Sequence, residues 1–151
     1  MDQSGVGHQV LLENQTLANV TSALRTTIGW KYQGPDLSRN LSSLTFIAKS
    51  YKRHFQRLFE LEAEGGYMSV VLESHPELSD MVASLEQEHR EFGKALGRIL
   101  ARLRRVTVTD RATFAAIAAD LSALLDRIDA HNLKEADLLQ EALLRDEGGE
   151  G

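Results

Sequence analysis

The sequence predicts an all-α protein, an antiparallel up-down four-helix bundle, on three observations. Apolar residues recur at i, i+3, i+4, i+7 spacing in four long segments. The segments are joined by short connections, which make sequential helices antiparallel neighbours. The 151 residues include only two prolines and 42% hydrophobic residues, with long Leu/Ala/Arg/Glu runs that favour helix over strand. That length suits one domain, residues 1–151, with residues 1–7 and 147–151 expected as flexible ends.

The first helix is expected over residues 8–30, with the stripe Val10, Asn14, Leu17, Thr21, Leu24 and Ile28. Asn14 is thus its inward polar residue, and His8 points away. Gly34-Pro35-Asp36 is turn chemistry, with Asp36 a candidate N-cap. The second helix is expected over residues 37–64, striped by Leu37, Leu41, Leu44, Ala48, Tyr51, Phe55, Leu58 and Glu62. Glu62 is central in that stripe and His54 sits at its border. Gly65-Gly66 ends the helix as glycine C-caps do, and residues 67–74 form an amphipathic connector. His75, beside Pro76, reads as a surface loop residue. Trp30, Tyr32 and the connector pack over the bundle ends or offer a partner surface.

The third helix, residues 77–105, carries Leu78, Met81, Val82, Leu85, His89, Phe92, Leu96, Ile99 and Leu103, with His89 at the centre. Gly93, one turn on, removes a side chain beside that imidazole. Thr109 or Asp110 caps the fourth helix, which runs to about residue 145. In it His131 and Glu135, four residues apart, lie inside the stripe of Leu121, Leu124, Leu125, Ile128, Leu138, Leu139 and Ala142. An imidazole and a carboxylate in an apolar stripe must be paired, hydrogen-bonded or metal-bound, because burying an isolated ionised group costs several kcal/mol. Counting residues from the helix ends brings Asn14, Glu62, His89, His131 and Glu135 to a similar depth, within reach of one layer.

Composition excludes several classes. The net charge of −5 is mixed in sign, and the basic clusters around Lys52 and Arg102 recur at helical spacing, so they read as solvated faces rather than a nucleic-acid footprint. The absence of cysteine removes disulfides, thiolate nucleophiles and iron–sulfur clusters. Apolar runs are too short for a membrane span and the N-terminus lacks a signal pattern, so a cytoplasmic location is expected. There is no Gly-rich phosphate loop and no strand–turn–helix frame for a nucleophile, and an enzyme is the weaker expectation.

The polar residues and their surroundings resemble the hemerythrin family, including its bacterial HHE cation-binding relatives. "HNLKEADLL", with His131-x-x-x-Glu135, is similar to the family's last ligand motif. "EQEHREF", with Glu88-His89, resembles the third-helix motif. "FELEAEGGYM" followed by "PELS" resembles a segment in which bacterial members carry His-x-x-x-Glu. The family holds two irons between histidines on all four helices, bridged by carboxylates from the second and fourth. Carried over, Glu62, His89, His131 and Glu135 are present. Leu58 occupies the second-helix histidine position, and Asn14, with Gln15 as the alternative alignment, the first-helix one. His54 is a weaker substitute from one turn earlier. The resemblance therefore implies a hemerythrin-like metal-binding domain with one half of a two-metal set, pointing to a mononuclear site. Iron is the expected cofactor, with manganese or zinc as alternatives. Sensing or storage of a small ligand such as dioxygen, or of redox state, is the role implied. The alternative is a metal-free interaction module in which two imidazoliums and two carboxylates neutralise one another.

Overall fold

The computed structural model describes residues 3–30, 37–63 and 67–149. Helices α1 (Gln3–Ile28), α2 (Ser38–Ala63), α4 (Ser79–Arg105) and α5 (Arg111–Gly149) form the bundle. A short helix α3 (Tyr67–Ser74) and a 3-10 turn (Pro76–Leu78) link α2 to α4. The helices are packed in the ring α1–α2–α4–α5, and α5 closes more sparsely on α1. Cross-helix pairs show the antiparallel order: Glu13 meets His54, Phe59 meets His89, and Arg102 meets Asp120. The all-helical bundle expected from periodicity is the fold observed.

The element ends explain themselves where they are described. Asp110 is the N-cap of α5: Thr113 donates its backbone N–H to Oδ1 at 3.1 Å and its hydroxyl to Oδ2 at 2.7 Å. Those bonds, the hydroxyl's first, hold the Asp110 carboxyl below the usual carboxylate range. At the same end Leu37 donates its N–H to the Val108 carbonyl at 2.8 Å, tying the α1–α2 and α4–α5 connections together. Helix α1 begins at Gln3 rather than near residue 8, and α5 continues to Gly149 rather than ending near residue 145. The expected caps at Asp36 and at Gly65-Gly66, and Tyr32, lie outside the described residues.

The length of α5 shapes one end of the molecule. It has 39 residues against 27 in α4, an excess of roughly 18 Å at 1.5 Å per residue. The overhang meets α3 in a second, small core of Met68, Val71, Leu78, Val82, Leu85, Leu138 and Ala142, separate from the main core along the rest of the bundle. Met68 and Val71 of the connector thus pack over the bundle end, while Val70 and Trp30 stay exposed. His75 is a correction to the expected loop residue: it is buried, not exposed. Its Nε2 lies 2.7 Å from Asp146 and its Nδ1 3.2 Å from Glu77, whose carboxylate also receives Arg145. The last turns of α5 cover it, an overhang that local sequence does not disclose.

Candidate metal centre

A polar layer separates the two cores. His131 has no exposed surface, His89 is 5% exposed and Glu62 7%, and the side chain of Glu135 is 13% exposed. His89 on α4 and His131 and Glu135 on α5 each present a ligand atom within 4.8 Å of the others. Helical spacing sets this locally: Glu135 follows His131 by one turn, so its Oε1 reaches His131 Nε2 at 3.1 Å. Glu62, on α2, lines a cavity of about 290 Å³ together with Phe59, Leu85, His89, Arg90 and Glu135. Met68, Ser69 and Leu72 of α3 line it as well, and it reaches the polar layer at His89 and Glu135.

The two histidines are shifted in opposite directions. His89 is sandwiched between Phe55 and Phe59, ring centroids 4.5 and 4.7 Å away, and its Nδ1 is buried without a hydrogen-bond partner among the described residues. Burial pushes its pKa down to about 4, so it is a neutral imidazole at pH 7. Burial also disfavours charge on His131, but hydrogen bonds and charge attraction from Glu135 and Glu88 outweigh it, and its pKa lies above the ordinary imidazole value. His131 Nδ1 faces Glu88 Oε2 at 3.3 Å, and Lys134 donates to the other oxygen of Glu88 at 2.9 Å. Lys134 chiefly, then His131, keeps Glu88 ionised below the usual range.

Glu88 is the residue at the layer that the sequence reading did not place there, although it stands beside His89 in the quoted motif. Its partners His131 and Lys134, three residues apart on α5, were the available signal. A carboxylate behind the distal nitrogen fixes the Nδ1–H tautomer and leaves Nε2 as the ligating atom, the arrangement that supports metal-bound imidazoles. A cation would sit between His131 Nε2 and Glu135 Oε1, 3.1 Å apart, in place of a proton.

Two sequence expectations are corrected, at Asn14 and Gly93, and the weaker reading of His54 as a ligand is not taken up. Asn14 is exposed, because α1 leans on α2 and leaves its α5-facing side open, so it does not join the layer. His54 is half-buried and paired through Nδ1 with Glu13 of α1, which holds it on the α1–α2 seam, away from the layer. Gly93 is not needed to make room: a Cβ there would meet nothing within 4 Å. Gly93→Ala is therefore expected to stabilise the protein by about 0.5–1 kcal/mol through the lost backbone freedom of the unfolded chain, seen as a higher urea midpoint at unchanged slope. Leu58, at the position where the family carries a second-helix histidine, is buried in the main core and fills that part of the layer with hydrocarbon.

No helix among the described residues is long and apolar enough to cross a membrane. No curated protein and no solved structure gives a significant match to the sequence. The family description "Hemerythrin HHE cation binding domain" matches residues 10–143, which include every residue of the polar layer. With that match spanning most of the sequence, and with the helical bundle and buried His/Glu cluster in agreement, the chain belongs to the hemerythrin HHE cation-binding domain family.

Proposed function

We propose that the protein binds one transition-metal cation through His89, His131 and Glu135, with Glu62 as the additional carboxylate, and that it senses or stores rather than catalyses. The observation that carries this reading is His89: a buried imidazole, neutral at pH 7, whose Nδ1 has no partner among the described residues and lies beside an imidazole–carboxylate pair. An unsatisfied buried polar atom is costly, on the order of 1–3 kcal/mol, and a cation would use it. Two imidazoles with one or two carboxylates suit iron, and manganese or zinc less specifically. A bound cation would supply the redox or small-ligand chemistry. The chain's own contribution is to hold His131 in one tautomer through Glu88, to keep His89 deprotonated, and to leave a cavity against the layer. A single metal is favoured over two because Leu58 and the exposed Asn14 cannot complete a second coordination set.

The second reading, a metal-free interaction module, rests on His131. It is already satisfied by two carboxylates, so half of the layer is neutralised without a cation. Elemental analysis of protein purified without chelator or metal resin separates the two. The expected result is up to one iron, manganese or zinc per chain, removable by chelator and restored by titration. A protein that takes up none of these metals and stays fully folded supports the module.

A further inference from the structure

Taken one helix at a time, the basic clusters of α2 and α4 are solvated faces, but the fold sets them side by side. Lys52 Nζ lies 3.6 Å from where a Cβ on Gly97 would stand, so Lys49, Lys52 and Arg53 of α2 meet Lys94, Arg98 and Arg104 of α4 across the seam. Lys52 is half-buried and the other five are exposed. None of the six is ion-paired among the described residues. The two helices bring no carboxylate to this stretch: α2 has none before Glu60 and α4 none after Glu91. Asp120, on the α5 side of α4, is taken up by Arg102 at 2.6 Å. In a chain of net charge −5 the patch is a local reversal of sign. Phe46 rises from the same side of α2, three and seven residues before Lys49 and Arg53. At 74% exposed it is the most exposed large hydrophobic side chain among the described residues.

We infer that the α2–α4 face binds single-stranded nucleic acid, with phosphates on the unpaired cations and a base on Phe46. Phosphate neutralisation by lysine and arginine supplies affinity, and an aromatic ring in water offers a base a stacking surface. The strand must be single, because a duplex hides the faces of its bases in its own stack. A lipid surface would use the charge, but one exposed apolar side chain gives it little to bury. A polyanion without bases would leave Phe46 unused. Lys94 to Arg104 spans about 15 Å along α4, enough to follow a short stretch of backbone. The face shares no residue with the polar layer and needs no metal.

The test is fluorescence anisotropy of the full chain, in chelator, with a labelled oligodeoxythymidylate of about twelve residues. Saturable binding is expected, with log K falling against log salt at a slope of about −3, for roughly four phosphates neutralised. Phe46→Ala should weaken that binding about tenfold and leave binding of an abasic oligomer of the same length unchanged. Lys52→Glu combined with Arg98→Glu should abolish both. Lys49→Glu with Lys94→Glu, at two exposed positions, serves if that pair does not fold. The assignment is overturned by no saturable binding, by binding that survives charge reversal, or by a Phe46→Ala protein that binds like wild type. Inorganic polyphosphate or anionic vesicles bound as tightly as the oligonucleotide overturn it too. Every arm is run without metal, so failure here leaves the metal reading untouched, and failure of the metal reading leaves this one standing.

Discussion

His131→Ala is expected to lower cation affinity at least about a hundredfold and to destabilise the metal-free protein by about 2–4 kcal/mol. Both effects come from one side chain with no exposed surface. The imidazole fills the space between the His89 ring, 5.2 Å away, and the edge of Phe92, 5.3 Å away, so its removal leaves a cavity. Among the described residues it is also the only group paired with both Glu88 and Glu135. Glu88 keeps Lys134, whereas Glu135 loses its imidazole partner. His131→Phe separates the contributions, since it restores volume but not charge, and should recover stability only in part. Urea unfolding in chelator reads the stability, and metal titration reads the affinity. A wild-type metal content in His131→Ala would place the cation elsewhere in the molecule.

The second large effect is acid lability of the metal-free protein. His89 titrates near 4 in the folded state against about 6.5 in an unfolded chain. Between those values the unfolded state holds a proton that the folded state does not, so stability rises with pH across the window. Lowering the pH from about 6.5 to about 4 should therefore cost on the order of 3 kcal/mol from this residue alone. His131 acts with the opposite sign. Its raised pKa means that its contribution is complete below the unfolded value and is lost as pH rises through the folded one. Maximal stability is expected near neutrality, between the two. Unfolding midpoints measured in chelator from pH 4 to 8 should show a steep acid limb that His89→Leu flattens. Parallel acid limbs in the two proteins would exclude His89 as the cause.

What the sequence disclosed, and what it did not, follows from the kind of information periodicity carries. A 3.6-residue pattern states which face of a helix is inward, and this sufficed for Glu62, His89, His131 and Glu135 because each lies in a broad apolar stripe. It does not state how far away the facing helix stands. Asn14 shares a stripe with Val10, Leu17 and Leu24, all buried, yet it is exposed because α1 leans away from α5 at that point. Glu88 sits off the stripe of α4 and acquires its role only from α5 across the seam. His75 looked like a loop residue by its proline neighbour, and the cover it receives comes from residues some seventy positions later, at the overhanging end of α5. Resemblance to a family added the identity of the layer, but the plugged position at Leu58 had to be seen packed in the core before it could be assigned to structure.

The division of the core into two clusters by a polar layer has a mechanical meaning. Hydrocarbon packing makes a bundle cooperative along its length, and here that continuity is broken at His89, His131 and Glu135. The end built from α3, the 3-10 turn and the overhang of α5 is expected to open before the rest of the bundle, which native-state hydrogen exchange would read as lower protection there. A cation held by His89, His131 and Glu135 would sit at that boundary and stabilise the form that binds it by RT ln(1 + [L]/Kd).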